Sequence, residues 1–312
     1  MSGQPTTVIG LIDDAARQLA AAGVSFGHGT TNAEDEAAWL VLWKLGLPLD
    51  TDLEGPLSMA DEPVDAEKAG AVADLVRARI ERRVPAAYLT REAWLQGLPF
   101  YVDERVIVPR SLIAELLAHP EFGGSIDPWL SVHTRSVLDL CTGNGSLSIL
   151  AALTWPDVVV DASDLSADAL AVARINVERH GLQPRVQLIR SDGFAALPGR
   201  YDLILCNPPY VNAASMHDLP AEFLAEPALA LAGGTDGMDF IRKLLADAPD
   251  HMNDDAVLVL EIGNERDHFE TAFPQLEAVW LETSAGDDQV LLLTRESLLA
   301  WNSSAPANTN PA

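Results

Sequence analysis

The sequence predicts an α/β protein: a Rossmann-like sheet of seven strands with helices on both faces, behind a small N-terminal helical domain and a β-hairpin linker. Three observations predict it. From Ser136 onward, apolar runs of strand length alternate with helical stretches, the rhythm of parallel strands joined by crossover helices. Runs such as Val257-Leu258-Val259-Leu260 are apolar at every position, as strands covered on both faces are. Before Arg83, by contrast, apolar residues recur every three or four positions, as on helices with one buried face.

Residues 1–87 read as the helical domain, expected to recognise a substrate. Glu34 to Leu45 (EDEAAWLVLWKL) and Asp65 to Arg83 (DAEKAGAVADLVRARIERR) carry the helical spacing, and Pro48, Pro56 and Pro63 interrupt it between them. Burying such faces calls for a small bundle. Residues 88–134 read as hairpin and linker. Gly97-Leu98-Pro99 breaks the chain, and two short β-prone runs, Phe100 to Val102 and Val106 to Val108, flank a charged turn at Asp103-Glu104-Arg105. Ser111 has the character of an N-cap for a short helix through Ala118, and 119–134 is a loop rich in Gly, Pro and His. Within 135–296 the strands expected are Ser136–Leu140, Val158–Ala162, Arg185–Arg190, Tyr201–Cys206, Ala256–Ile262, Ala278–Thr283 and Gln289–Thr294. Helices fit Ser146–Leu153, Ala167–His180, Asp236–Ala248 and Glu265–Phe273. Only Ser284 to Asp288 separates the last two strands, which fits an antiparallel pair. Residues 297–312, ending in NSSAPANTNPA, read as a disordered tail.

Composition bounds the function. With 20 basic against 46 acidic residues the formal charge is −26, which argues against direct binding of bare nucleic acid and suits a small molecule or a basic protein. No apolar run reaches the roughly 18–20 residues that span a bilayer, and Met1 to Gly10 lacks the basic-then-apolar pattern of a secretory signal. The only cysteines are Cys141 and Cys206, too few for a disulfide framework or a cysteine-rich zinc site; a reduced cytoplasmic setting and no metal are expected.

The chemistry gathers at the carboxyl ends of the expected strands, the edge where open α/β sheets bind ligands. The first turn reads Asp139-Leu140-Cys141-Thr142-Gly143-Asn144-Gly145-Ser146. Gly143 and Gly145 let backbone pass close to a ligand. The dinucleotide fingerprint is absent, because Cys141 holds its first glycine position and Leu147 follows Ser146. Asp139 would repel a pyrophosphate, and it matches better the cationic amino and sulfonium groups of S-adenosylmethionine. A Gly-rich turn also simply connects strand to helix. Asp164, after the second strand, can accept two ribose hydroxyls; the alternative is a helix cap, a role Ser166 fills better. At Ser191-Asp192-Gly193-Phe194 the carboxylate can accept from an adenine amino group and the ring can lie against the base, although Asp192 is equally a turn residue. The two cysteines read as small buried residues, with Cys141 bordering the cofactor through its backbone.

The fourth strand runs into Asn207-Pro208-Pro209-Tyr210. Two prolines stop the strand and stiffen the backbone, fixing the Asn207 side chain and the Pro208 carbonyl in one orientation. A planar NH2 group needs two acceptors in its plane, and Tyr210 can cover one face of the amide or base. A proline pair alone is an ordinary turn; after an apolar strand in this fold the tetrapeptide points to methyl transfer onto an amino or amide nitrogen.

These residues resemble the class I S-adenosylmethionine-dependent methyltransferases that modify amino groups, and more narrowly the protein-(glutamine-N5) methyltransferase family. The likeness covers about Asp65 to Glu296, more loosely the helices before it. The release-factor branch of that family carries an Arg-Pro-Glu-Thr-Glu stretch after the hairpin. This chain reads Val108-Pro109-Arg110-Ser111-Leu112-Ile113-Ala114-Glu115, which with Arg83 to Thr90, Glu92-Ala93-Trp94 and Phe100 to Arg105 resembles the branch acting on a large-subunit ribosomal protein (L-three). Cys141 in place of glycine is in keeping with that branch, and the segments Glu226 to Leu231 and Gly233 to Gly237 are similar too, although turn and cap roles explain them as well. Leu112 departs from an expected proline and Gly193 from a bulkier residue.

The resemblance implies an enzyme that methylates the side-chain amide of a glutamine. Asn207, Pro208, Pro209 and Tyr210 would be its catalytic residues. Asp139, Cys141, Thr142, Gly143, Asn144, Gly145, Asp164, Asp192, Phe194 and Asn207 would hold S-adenosylmethionine. The amide nitrogen is a poor nucleophile, so the site works through orientation and fixed acceptors rather than a dedicated base. Glutamine methylation of release factors and adenine amino methylation of nucleic acid are the alternative activities, and a non-catalytic ribosome-assembly module is the alternative class.

Overall fold

The computed structural model describes residues 6–118 and 126–304. Three helices, α1 (Val8–Ala22), α2 (Ala33–Leu45) and α3 (Ala66–Arg82), pack on one another around Leu19, Leu40, Val41, Val72 and Val76. Each begins on a side chain that accepts a backbone N–H: Thr7 for Gly10, Asn32 for Asp35 and Asp65 for Lys68. The sequence reading had named the second and third helices but not α1, whose buried Val8, Ile12, Ala15, Ala16 and Leu19 form one stripe. A short α4 (Ala86–Thr90) follows.

The hairpin lies earlier than expected. Its strands are β1 (Ala93–Leu95) and β2 (Leu98–Phe100), with Trp94 opposite Pro99. Gln96 and Gly97, at φ 50° and 73°, make the two-residue turn whose twist matches antiparallel strands, so Gly97 is the turn and not an interruption. Val102, Val106 and Val108 are buried against Ala169 and Val172 instead of pairing as strands. Ser111 caps α5 (Ile113–Ala118), as expected, by accepting from the Ile113 N–H at 3.3 Å. Of the expected 119–134 loop, 119–125 lie outside the described residues; Asp127–Trp129 form a single 3-10 turn.

The main sheet is built from β3 (Ser136–Leu140), α6 (Ser146–Thr154), β4 (Val159–Asp164), α7 (Ala167–Arg179), β5 (Val186–Arg190) and β6 (Tyr201–Cys206). The short α8 (Ala213–His217) and α9 (Ala221–Leu224), then α10 (Asp239–Asp247), lead to β7 (Met252–Glu261). Next come α11 (Arg266–Ala272), β8 (Val279–Thr283), β9 (Gly286–Thr294) and α12 (Arg295–Ser304). The strand order is β5-β4-β3-β6-β7-β9-β8, parallel through β7 and closed by the antiparallel β9 and β8. This is the seven-stranded α/β architecture expected. Successive strand residues feed opposite layers: Val137, Leu203 and Val257 pack under α5 and α6, whereas Leu138, Ile204 and Leu258 pack under α10 and α12.

The expected disordered tail is corrected over 297–304. Leu298 is fully buried, and Trp301 three positions on meets Phe273 edge to face at 5.6 Å, so one face of α12 seals the sheet. Residues 305–312 of that expectation lie outside the described residues. No helix among those described is long and apolar enough to cross a membrane. The strand order reverses between β3 and β6, where Leu140 lies beside Cys206. That register brings the Cys141 turn and Asn207 to one point on the carboxyl edge.

Candidate active site

Two cavities open at this edge, and they meet at Asn207. The first is lined by the turn after β3 (Cys141, Thr142, Gly143, Asn144), by Asp164 after β4, by Asp192 after β5, and by Asn207 and Pro209 after β6. The second is lined by Pro208, Tyr210, Leu219 and Phe223. Asn207, Ile107, Arg110 and Ala230 belong to both walls.

The first cavity is polar at its floor. Asp164 accepts the Gly143 N–H at 2.9 Å on one oxygen and the Ser166 N–H at 2.8 Å on the other, which ties the ends of β3 and β4 together and still leaves lone pairs. Burial raises its pKa, and those backbone donors oppose the rise. Asn144 Nδ2 and Ser163 Oγ are buried with no partner, and both residues line this cavity. Buried polar atoms without a partner cost free energy, so the cavity has donors and acceptors to satisfy. The loop itself is pinned from behind: fully buried Asn176 on α7 donates to the Asn144 and Tyr101 carbonyls at 2.9 and 3.0 Å and accepts the Tyr101 N–H at 2.7 Å.

Three residues expected to touch a cofactor are placed elsewhere. Asp139 lies beneath the turn and does not line the cavity. Its Oδ2 accepts from Thr142 Oγ1 at 2.5 Å, from the Ser148 N–H at 2.9 Å and from the Ser148 hydroxyl, which shapes the loop onto α6. Its Oδ1 is buried without a partner, and burial raises its pKa to about 6 against the Ser148 and Thr142 hydrogen bonds. Gly145 serves helix packing, since a Cβ there would stand 3.2 Å from the Ala173 Cβ. Phe194 stacks on His251 at 4.5 Å and faces a small adjoining pocket, whereas Phe240 borders both that pocket and the main cavity. In each case a strand-end position in sequence does not say which side of the loop a side chain takes.

Among the described residues, the Asn207 side chain makes no hydrogen bond and the Pro208 carbonyl accepts none. Both residues line the second cavity. The backbone that presents them is tightly sheathed. A Cβ at Gly233 or Gly237 would fall 2.7 or 2.2 Å from the Tyr210 main chain, and one at Gly263 only 2.6 Å from its ring. The Tyr210 hydroxyl reaches Glu261 Oε1 at 3.4 Å. The other oxygen of Glu261 accepts from Ser111 Oγ at 2.6 Å and the Leu112 N–H at 2.9 Å. Full burial raises the Glu261 pKa although these bonds oppose it.

Sequence reading missed Glu261, whose signal was a carboxylate closing the apolar run of β7. It also missed Glu226 as a partner of Arg110, two hydrogen bonds of 2.7 Å. Burial works against ionisation of Glu226, but His28 and Arg110 beside it hold its pKa to about 2. No cluster that could hold a metal ion occurs among the described residues. The chemistry on offer is two adjoining cavities that share Asn207, the first with carboxylates and unpartnered polar atoms in its wall.

The family model of the methyltransferase small domain matches residues 127–236. The chain is 54% identical to the ribosomal protein uL3 glutamine methyltransferase of Bordetella pertussis, over 94% of this chain and 96% of that one. It is 52% identical to the protein of that name from Burkholderia pseudomallei, over 96% and 99% of the two chains. With the one from Neisseria meningitidis serogroup B it shares 49% identity over 94% and 95%.

Proposed function

The chain belongs to the ribosomal protein uL3 glutamine methyltransferase family, and from that premise we propose that it methylates a glutamine side-chain amide of uL3 in the cytoplasm, with S-adenosylmethionine as donor. The observation that carries the reading is the shared wall: Asn207 borders the first cavity on one side and the second on the other. A donor in the first and an acceptor in the second would meet along that wall.

The polar residues of the first cavity suit the donor. Asp164 has lone pairs left for the ribose hydroxyls, Asp192 an acceptor for the adenine amino group, and Asn144 and Ser163 unpartnered polar atoms for the methionyl end. S-adenosylmethionine held there supplies a methyl group on a sulfonium, which departs as a neutral thioether. Asn207 Oδ1 and the Pro208 carbonyl each accept one N–H of the glutamine amide. They hold its nitrogen on the line of transfer and favour the positive charge that develops on it. Tyr210 covers one face of the planar amide. As the new C–N bond forms, the nitrogen becomes cationic and readily releases a proton, so the site requires no strong base. The formal charge of −26 favours a basic protein over nucleic acid as the owner of that nitrogen.

The test offers labelled S-adenosylmethionine with uL3, a release factor and an adenine-containing oligonucleotide, and locates the modified residue by mass spectrometry. Label on a uL3 glutamine alone is expected. Asn207→Ala should abolish transfer and leave donor affinity within a few-fold of wild type; full activity in that variant overturns the assignment of Asn207.

A further inference from the structure

The wall of the acceptor cavity is held from outside its own domain. After the tetrapeptide the chain makes an excursion closed by an isolated bridge between Val211 and Ala232. Phe223, in the excursion between them, lines the acceptor cavity. Its neighbour Glu222 is fully buried, and its Oε1 accepts from the Ser25 N–H at 3.1 Å, Arg79 Nη1 at 3.0 Å and Arg83 Nε at 2.7 Å. All three donors belong to the N-terminal bundle. Arg79 is itself fully buried and spends its other N–H groups on Glu36 Oε1 and the Ser25 carbonyl, each at 2.8 Å. Two cations, the buried Arg79 and the part-exposed Arg83, thus meet two buried carboxylates, Glu36 and Glu222.

Four residues after Glu222, the buried Glu226 stands between His28 of the bundle and the cavity-lining Arg110. It takes two bonds from Arg110 and one from the Val108 N–H at 2.8 Å, and His28 Nε2 stands 3.5 Å from its Oε2. Phe223 lies between these two carboxylates in sequence and touches the partners of Glu226. The His28 ring packs on it at 4.2 Å, and the Arg110 guanidinium lies over it at 5.5 Å. Phe223 and Arg110 are therefore cavity walls whose positions are fixed by His28, Arg79 and Arg83.

A docking surface for a protein substrate needs no such cluster. Buried ion pairs are a poor source of stability compared with apolar contacts, and what they supply is a single geometry. We propose that the N-terminal bundle is a positioning part of the active site: through Glu222 and Glu226 it sets Phe223 and Arg110 against the acceptor amide, and so acts on the rate of transfer as well as on recruitment of substrate. Arg79, Glu222 and His28 are positioning residues in this arrangement. The proposal rests on the acceptor assignment made above.

The experiment compares full-length wild type with Glu222→Gln and with the triple variant Glu36→Gln/Arg79→Met/Glu222→Gln, which removes the fully buried charges together and leaves only the part-exposed Arg83 without its carboxylate. Two acceptors are used: whole uL3, and a short peptide around the glutamine that wild type methylates, too small to reach the bundle. Positioning predicts that kcat falls tenfold or more on both acceptors, because about 1 Å of misplacement costs roughly 100-fold. The KM for uL3 should change less than threefold, and S-adenosylmethionine affinity should stay at the wild-type value. Hydrogen exchange should rise across 219–231 and stay unchanged across 141–147. A raised KM with intact kcat, or a loss seen with uL3 and not with the peptide, makes the bundle a docking surface and overturns the proposal. Unchanged exchange across 219–231 overturns it too, and that readout stands even if uL3 is not the substrate.

Discussion

Replacing Gly263 with Ala adds one methyl group at a point where the structure has no room for it. The new Cβ would lie 2.6 Å from Tyr210 Cε2 and 3.0 Å from its Cζ. Carbon atoms rest at about 3.5–4.0 Å, so the ring has to retreat by about 1 Å. It cannot do so by moving its main chain, which Gly233 and Gly237 enclose. The ring must swing instead, away from the face of the acceptor amide. Misplacement of that size costs roughly 100-fold in rate, or about 2.7 kcal/mol of transition-state stabilisation. Separately, φ at Gly263 is +53°, where a Cβ costs about 1–2 kcal/mol of folding stability. Gly181 controls for this second effect. Its φ is +67°, and a Cβ there would meet nothing within 4 Å, so Gly181→Ala carries the backbone strain without the collision. Initial rates on uL3, donor affinity by calorimetry and thermal unfolding separate the two costs. Gly263→Ala should lose at least as much stability as Gly181→Ala, since the collision adds to the strain, and it alone should lose about two decades in kcat, by the same misplacement rule, with donor affinity intact. Equal activities in the two variants would refute a role for the Tyr210 ring in holding the acceptor.

Asp164→Asn keeps one acceptor and loses the charge, so donor affinity should fall by about tenfold, the worth of roughly 1.4 kcal/mol for a charge-assisted bond, and kcat at saturating donor should hold; an unchanged Kd removes Asp164 from the ribose. Asn176→Leu strands the Tyr101 N–H and the Tyr101 and Asn144 carbonyls, which should cost about 3 kcal/mol in denaturant unfolding, together with weaker donor binding as the loop loosens; a loss under 1 kcal/mol would contradict this pinning (that threshold being about one ordinary hydrogen bond). Asp139 has a folded pKa of about 6, above its ordinary 3.8, so the folded state binds the extra proton. Its contribution, about 3 kcal/mol at one unit per 1.4 kcal/mol, is fully present below pH 3.8 and lost as pH rises through 6. The stability difference between wild type and Asp139→Asn should therefore decline across that window, and a difference that stays flat would show the carboxyl to be ionised throughout.

What could be read from the sequence was what is local. Alternation placed all seven strands of the main sheet, because a strand with both faces covered leaves an unbroken apolar run. The tetrapeptide and the Cys141 turn were legible as contiguous motifs whose backbone demands are written in prolines and glycines. The hairpin was misplaced because Gln96-Gly97 lacks the usual Asn or Asp, and because the buried valines at 102, 106 and 108 look like strand residues when they are packing against α7. Pairs distant in sequence left fainter marks. Glu261 and Ser111 are 150 residues apart, and Arg79 and Glu222 are 143. One mark was there to be seen. Val72, Val76 and Arg79 share the buried stripe of α3, and an arginine on an apolar stripe must find a carboxylate from another element.

These long-range pairs bear on how an amide nitrogen can be made to react at all. The acceptor cavity offers Asn207, a proline carbonyl and a tyrosine ring, and the one carboxylate touching Tyr210, Glu261, is committed to Ser111 and the Leu112 N–H. If the proposed site requires no strong base, its rate comes from placement: two acceptors held in the amide plane, and a ring laid over it. Placement is only as good as the backbone that supplies it, which explains why the tetrapeptide is sheathed by Gly233, Gly237 and Gly263 and why the opposite wall is clamped from the N-terminal bundle. Activity in this protein should therefore be more sensitive to a methyl group added at a distant glycine than to a charge removed from the surface. On the proposed assignment, the residues that set the rate extend well beyond Asn207, Pro208 and Tyr210.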